Sequence, residues 1–194
     1  MLDFQVMVEG KNSSPIFFLP LTISATSLLQ ELEDNPEVWN QYPERTSGYN
    51  TPHTKVSDIW VRYNSRENLT KNWDSFHNKH ASVWYPVIEK IPSVVSIVEK
   101  VYKEVGGKEL GGIFITKVPP GEIIDPHIDG GWHPEYYEKY AVQVKGNLQQ
   151  AFCFDGLSLS ALPGQVYTFD NSKVHWVVNG SNEDRITLII CIRR

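Results

Sequence analysis

An HxD motif holds the residues of this 194-residue sequence that are best suited to metal chemistry. His127 and Asp129 lie two positions apart in the strand-like segment EIIDPHID, directly before Gly130 and Gly131. Because side chains alternate between faces along a strand, both are expected to project from the same face. His175 follows in another strand-like segment, VHWVVN. Two imidazoles and one carboxylate on one face of an ion suit non-haem Fe(II) and leave the opposite face open to a co-substrate and oxygen.

Arg185 is a further candidate because it opens an otherwise apolar final segment, RITLIICIR. Its planar guanidinium is suited to holding a carboxylate inside a barrel, although an arginine next to a turn can also be a surface residue. Taken alone, an HxD pair can arise by chance, and a strand histidine such as His175 is usually a polar residue with a satisfied hydrogen bond. The combination of these features in one strand pattern favours the metal site.

Short β-branched and aromatic segments fill the second half of the chain and would position these residues. Turn residues such as PPG, GG, DG, LPG and GSNED separate them, which is typical of strands joined by tight turns. We predict eight strands and a β-sandwich or jelly roll over residues 110–194. The eight segments are GGIFITKV, EIIDPHID, KYAVQVKG, QQAFCF, LSLSAL, QVYTFD, VHWVVN and RITLIICIR.

The first half of the sequence is mixed, and we predict that it supplies helices, loops and supporting strands to a mainly β fold. A helix is expected over residues 84–105, broken near Pro92, with an apolar stripe of valines and a stop at Gly106 and Gly107. The other expected elements are strands in DFQVMV, PIFFLPLT and SDIWVRYN, a helix in TSLLQELED, and loops at 40–56 and 64–82. No repeat or long linker interrupts the sequence, so residues 1–194 are expected to form a single domain, with 1–109 flanking a core of 110–194.

Composition and charge exclude several classes of protein. Hydrophobic residues make up 41% and charged residues 21%, which is typical of a folded globular chain. No apolar run approaches the roughly 20 residues that span a bilayer, and the N-terminus lacks the basic region of a secretory signal. With only Cys153 and Cys191, we expect a reducing, cytoplasmic location. The net charge of −5 argues against a nucleic-acid partner.

The segments HID at 127–129 and FDNSKVHWVVN at 169–179, together with Arg185, resemble the aspartyl/asparaginyl β-hydroxylase family of Fe(II)- and 2-oxoglutarate-dependent dioxygenases. The resemblance covers residues 110–194 well and the first half only loosely. It implies a double-stranded β-helix, a cupin-like jelly roll, that carries out dioxygenase chemistry. It also implies that His127, Asp129 and His175 hold the iron.

The resemblance further implies residues for the co-substrate. Arg185 would hold the distal carboxylate of 2-oxoglutarate, and Thr116, 11 residues before the first iron ligand, would share it. Thr116 could equally be an ordinary β-branched strand residue. Relatives usually carry a second arginine in the strand after HxD, but EYYEKYAVQV has none. Lys139 or Tyr140 could replace that arginine, or the role could pass to His133 or Trp132.

The implied reaction is hydroxylation of an unactivated C–H bond by O2, with 2-oxoglutarate converted to succinate and CO2. The substrate would be an amino-acid side chain, in a peptide or protein or as a free amino acid. The segments at 130–140 and 40–80 could recognise it. Within 130–140, Trp132, His133, Tyr136 and Tyr137 are suited to stacking or polar contacts, or to packing as a lid.

Three alternatives remain open from the sequence. The first is a non-catalytic jelly-roll module that binds a metal or a small acid, for which Arg185 and Thr116 would be dispensable. The second is a cupin metal enzyme that does not use 2-oxoglutarate, which would recruit a third ligand such as His133. The third is a nucleic-acid-modifying oxygenase, against which the acidic composition argues.

Overall fold

Eleven β-strands are found in the part of the chain that the computed structural model describes, residues 14–47, 51–69 and 76–194. All of the strand pairings are antiparallel. The strands are β1 (Ile16–Thr22), β2 (Ser57–Asn64), β3 (Ser82–Trp84), β4 (Glu109–Val118), β5 (Ile123–His127), β6 (Glu138–Lys145), β7 (Gln150–Phe154), β8 (Leu157–Leu159), β9 (Gln165–Phe169), β10 (His175–Asn179) and β11 (Arg185–Arg193).

The strands form two sheets. The larger sheet has the order β1-β9-β6-β11-β4-β2-β3, and the smaller has the order β5-β10-β7-β8. The eight strands predicted for the second half of the chain are all present, as β4 to β11, and the mainly β jelly-roll fold is confirmed. The strand expected in DFQVMV lies outside the described residues.

Four α-helices have both of their ends within the described residues: α1 (Thr26–Asp34), α2 (Glu44–Ser47), α3 (Ser93–Glu104) and α4 (Trp132–Tyr136). Short 3-10 helices occur at Pro36–Val38, Arg66–Asn68 and Pro86–Glu89. The two unpredicted helices, α2 and α4, lie inside segments that the sequence suggested were loops.

The helix predicted over residues 84–105 is wrong in its first part. Trp84 ends β3, and Tyr85 is extended because it precedes Pro86. The helix α3 begins only after Pro92 and ends just before Gly106, whose φ of 68° suits a residue without a side chain.

Two apolar clusters lie on opposite faces of the larger sheet. One joins that sheet to α1 and α3, and it includes Leu28, Val98, Leu188 and Ile190. The other fills the space between the two sheets and includes Phe152 and further aromatic side chains. The prediction that the first half supplies helices to a mainly β fold is therefore confirmed, and these helices cover one face of the larger sheet.

The two faces of β11 explain how the fold exposes functional side chains to a cavity between the sheets. Ile186, Leu188, Ile190 and Ile192 belong to the cluster that faces the helices. The alternate residues, Arg185, Thr187, Ile189 and Cys191, line the cavity. Because strand side chains alternate with period two, one strand contributes both to the core and to the site.

Candidate metal centre

Strand pairing brings the two predicted histidine ligands together. His127 ends β5, His175 begins β10, and the two residues are direct partners in the antiparallel register of these strands. Their ring centroids are 4.4 Å apart. One strand pair therefore brings together two histidines that lie 48 positions apart in the sequence.

Asp129 lies beside both imidazoles. Its Oδ1 is 3.6 Å from Nε2 of His127, and its Oδ2 is 3.6 Å from Nε2 of His175. The backbone N–H of Asp129 donates to the carbonyl of Asn171, at 3.2 Å, which fixes the turn after β5 to the segment before β10. Ligand atoms of all three residues lie within 4.8 Å of one another. Donors that share one ion at about 2 Å lie up to about 4 Å apart, and the two 3.6 Å separations from Asp129 are within that limit.

Backbone hydrogen bonds orient both imidazoles. Nδ1–H of His127 donates to the carbonyl of Asp125 at 2.7 Å, and Nδ1–H of His175 donates to the carbonyl of Lys173 at 2.9 Å. These bonds leave Nε2 of each ring with a free lone pair directed towards Asp129. Burial lowers the pKa of His175, which favours the neutral, ligating form of the ring.

Lys139 provides the positive charge next to this group. Its Nζ pairs with Oδ2 of Asp129, and both side chains are mostly buried. Burial alone would raise the pKa of Asp129, but the ammonium of Lys139, together with His175 and His127, outweighs it, and the net effect is a pKa below the usual range. Asp129 is therefore held as a carboxylate, the form that a metal requires.

Arg185 is buried in the same cavity, with 4% of its surface exposed. Its guanidinium donates to Thr187 Oγ1 at 2.7 Å and to the hydroxyl of Tyr167 at 2.9 Å. Within the described part of the chain, no carboxylate forms an ion pair with it. A buried cation with only neutral partners is costly unless an anionic ligand pairs with it.

Thr116 faces the cavity from β4, directly opposite Thr187 in the strand register. Its Oγ1 accepts a hydrogen bond from Nη1 of a second arginine, Arg45 of α2, at 3.2 Å. The same nitrogen of Arg45 pairs with Oδ2 of the buried Asp58 at 3.3 Å. Thr116 thus lies next to Arg45 in space and across one strand pair from the residue that binds Arg185.

Arg45 and His53 are cavity residues that the sequence analysis missed. Nη2 of Arg45 donates to Nε2 of His53 at 3.2 Å, and the ring of His53 packs edge-on against that of His127, with centroids 5.3 Å apart. Burial and then the charge of Arg45 lower the pKa of His53 well below its usual value. The only signal for these residues in the sequence was the length of the polar loop that contains them.

The structure does not bring Tyr140 to the site. Tyr140 lies on the helix-facing side of β6, where its ring belongs to the outer apolar cluster and its hydroxyl donates to Glu138 at 2.7 Å. Lys139, the neighbouring residue, faces the cavity instead. Alternation along β6 therefore argues against the co-substrate role predicted for Tyr140 and leaves Lys139 as the candidate from this strand.

The aromatic residues of the 130–140 segment pack mainly against one another. Trp132 stacks on Tyr136 with ring centroids 5.1 Å apart, and the hydroxyls of Tyr136 and Tyr137 both donate to Glu109. His133 reaches the cavity, but its Nε2 accepts the backbone N–H of Gly112, and burial lowers its pKa to about 3. Packing of α4 accounts for these residues better than contact with a co-substrate.

The cavity between the sheets has a volume of about 620 Å³, within the usual range for small-molecule sites. The candidate metal group, Lys139, Arg185, Thr116 and Arg45 all line it. Apolar and aromatic side chains form much of the remaining wall, among them Phe114, Ile124, Phe152, Phe169 and Val177.

A family profile described as Aspartyl/Asparaginyl beta-hydroxylase matches residues 31–194 of this chain. The chain belongs to this family. The match begins within α1 and therefore includes most of the first half of the chain. From the sequence motifs alone, the resemblance covered that half only loosely. Membership identifies the protein as an enzyme of the dioxygenase or hydroxylase type. A search of curated protein sequences finds no match.

Two solved structures are similar in fold. An oxidoreductase of the 2OG-Fe(II) oxygenase family from Burkholderia pseudomallei has a TM-score of 0.50 and 12% identity, and the match covers 71% of this chain and 67% of that one. A prolyl-4-hydroxylase from Pseudomonas putida has a TM-score of 0.50 and 12% identity, and the match covers 93% of this chain and 92% of that one. Within the described residues, no helix has the length and apolar character needed to cross a bilayer.

Proposed function

We propose that this aspartyl/asparaginyl β-hydroxylase family member is an Fe(II)- and 2-oxoglutarate-dependent dioxygenase. Its substrate would be an amino-acid side chain, in a peptide or protein or as a free amino acid, and its other reactant would be O2. We also propose that residues 1–194 act as one catalytic domain in the cytoplasm. The apolar cluster that joins α1 and α3 to the larger sheet supports the first of these two points.

One observation carries the proposal. A His-Asp-His group and a buried arginine without a carboxylate partner among the described residues line the same cavity. A metal would satisfy the first feature, and an anionic co-substrate would satisfy the second. 2-Oxoglutarate is a dicarboxylate, so it could reach the metal at one end and Arg185 at the other.

The residues fit ferrous iron by the chemistry of their donors. His127, Asp129 and His175 offer two neutral imidazoles and one carboxylate, the ligand set of non-haem Fe(II) oxygenases. The backbone bonds to Nδ1 orient both rings before any ion binds, so little ordering remains to be done. When bound, iron and 2-oxoglutarate would supply the oxidation of a substrate C–H bond by O2, with release of succinate and CO2.

The protein's own contribution would be to anchor and orient the co-substrate and to exclude water from the cavity. Arg185 would hold the distal carboxylate through its planar donors, and Thr187 and Tyr167 keep that guanidinium in place. Phe152, Phe169 and neighbouring apolar side chains line the cavity and would limit the entry of water to the reacting centre.

The cupin alternative is less well supported. Among the described residues, no third histidine joins the candidate metal group, and Nε2 of His133 is already an acceptor for Gly112. A metal-binding module without turnover would not need a buried arginine that has no carboxylate partner among the described residues. The family membership also favours an enzyme.

The test is anaerobic addition of Fe(II) and then 2-oxoglutarate, followed by visible spectroscopy. We expect a weak charge-transfer band of the chelated co-substrate in the wild-type protein, and its loss in Asp129→Ala and His175→Ala. His80→Ala is the matched control, because this histidine lies outside the candidate metal group. Iron binding without a band would favour the cupin alternative, and no metal binding at all would favour a binding module.

A further inference from the structure

Lys139 forms an ion pair with Asp129, whose carboxylate is also a predicted metal ligand. Nζ of Lys139 contacts Oδ2 of Asp129, and 15% of the lysine side chain is exposed. Lys139 has no second carboxylate partner among the described residues. The neutral ring of Phe169 also lies near the ammonium, with its centroid 6.0 Å from Nζ.

A divalent ion and the ammonium would compete for this carboxylate. The oxygen that Lys139 contacts is also the one that lies 3.6 Å from Nε2 of His175. An ion bound between Asp129 and the two imidazoles would therefore lie within a few ångströms of Nζ. Two cations at such a distance in a largely buried cavity repel each other strongly.

We propose that Lys139 is a resident counter-cation of Asp129, that a divalent ion displaces it, and that the released ammonium then binds the anionic co-substrate. This inference rests on the proposed function. It makes Lys139 a co-substrate-binding residue that couples the binding of the metal to that of the co-substrate.

Once a metal ion displaces it from Asp129, the ammonium of Lys139 needs a new anionic partner. Once it leaves Asp129, the ammonium would lie in a cavity where the described residues offer it no other carboxylate. A buried ammonium without an anion is costly, so a dicarboxylate in the same cavity gains a partner only after the metal has bound. Coupling between two ligands of one protein is commonly 5–150-fold in affinity, and we expect about tenfold here.

The experiment uses Mn(II) and 2-oxoglutarate as probes in calorimetric titrations of the full chain, without turnover. Lys139→Met removes the charge but keeps an unbranched side chain. We expect it to bind Mn(II) about tenfold more tightly and, once saturated with Mn(II), to bind 2-oxoglutarate about tenfold more weakly than the wild type. Lys145→Met, at the other end of β6 and outside the cavity lining, is the matched control and should change neither affinity.

The inference requires that Lys139→Met raise the affinity for Mn(II) and lower the affinity for 2-oxoglutarate. Equal or weaker Mn(II) binding by Lys139→Met would overturn the displacement, and unchanged 2-oxoglutarate binding would overturn the transfer. If the wild type binds both probes and the variants do not differ from it, only this inference fails. If the wild type binds neither probe, the proposed function fails with it.

Folding is checked independently of binding. Lys139→Met leaves Asp129 without its partner, so its metal-free form should melt at a lower temperature, and saturation with Mn(II) should remove the difference. If Lys139→Met does not fold, Lys139→Gln replaces it with the same expected signs. Lys139→Arg keeps a cation and should leave both affinities within about threefold of the wild type.

Discussion

The two arginines of the cavity, Arg185 and Arg45, have opposite electrostatic surroundings. Arg185 lies on β11, is almost completely buried, and has only the neutral oxygens of Thr187 and Tyr167 as partners in the described part of the chain. Arg45 lies on α2, is about one quarter exposed in its side chain, and pairs with the fully buried carboxylate of Asp58.

This difference indicates that Arg185 is placed to bind a ligand, whereas Arg45 stabilises the fold. The pKa of Asp58 is raised by burial, and Arg45 offsets that effect only in part, so the carboxylate depends on its arginine. Arg185 supports no carboxylate among the described residues, and its charge is a cost to the ligand-free protein. Loss of Arg185 should therefore affect ligand binding, whereas loss of Arg45 should affect stability.

The largest expected effect is on co-substrate binding by Arg185→Met. We expect the affinity for 2-oxoglutarate to fall about a hundredfold, because truncating one partner of a buried charge pair costs about 2–5 kcal/mol. The affinity for Mn(II) should stay within about twofold. Both are measured by calorimetry, with Arg193→Met on the same strand, exposed at its end, as the control.

The ligand-free stability of Arg185→Met sharpens the comparison. Removing a buried, unpaired charge should raise the free energy of unfolding by about 1 kcal/mol in the absence of 2-oxoglutarate. A clear loss of stability together with unchanged 2-oxoglutarate affinity would show that Arg185 serves the fold, like Arg45.

The second effect is the loss of stability in Arg45→Met. The buried carboxylate of Asp58 loses its cation, and we expect the free energy of unfolding to fall by about 2 kcal/mol, less than for a fully buried pair because Arg45 is partly exposed. Denaturant unfolding measures this value. Arg194→Met, which breaks the exposed pair with Glu138, should cost less than about 0.5 kcal/mol.

A second variant shows whether Asp58 is the cause. Arg45→Met combined with Asp58→Asn removes the unpaired charge and should recover about half of the lost stability. No recovery would mean that Arg45 acts through its contacts with Thr116 and His53 instead.

The second half of the fold and the core of the candidate site could be predicted from local patterns. Period-two alternation and turn residues predicted all eight strands from β4 to β11. His127 and Asp129 share one strand end, and Arg185 opens the last strand, so each was visible in a short stretch of sequence. The pairing of His127 with His175 depends on the register of β5 and β10, which could not be predicted from the sequence.

The contribution of the first half to the site could not be predicted in the same way. Arg45 and His53 lie in a polar segment without periodicity, and only tertiary packing brings them to His127 and Thr116. Tyr140 lies outside the cavity for a different reason. It is adjacent to Lys139, and neighbours on a strand face opposite sides, so composition alone could not choose between them.

The smallest expected effect concerns Thr116, which lies between the two arginines. A guanidinium can only donate, so Arg45 uses the oxygen of Thr116 as an acceptor and leaves its hydroxyl hydrogen free to donate to a carboxylate held by Arg185. Thr116→Val should therefore weaken 2-oxoglutarate binding about fivefold, the value of roughly one hydrogen bond. Thr116→Ser should restore it.

The effects of Thr116→Val on 2-oxoglutarate affinity and on the free energy of unfolding then show which of the two arginines Thr116 supports. A loss of 2-oxoglutarate affinity that Arg45→Met does not reproduce would place the hydroxyl with Arg185 and the co-substrate, as the family resemblance implies. If Thr116→Val lowers the free energy of unfolding and leaves the affinity unchanged, the hydroxyl serves the pair of Arg45 and Asp58. Thr116 would then be a structural residue of β4, and Arg185 would hold the distal carboxylate of the co-substrate without it.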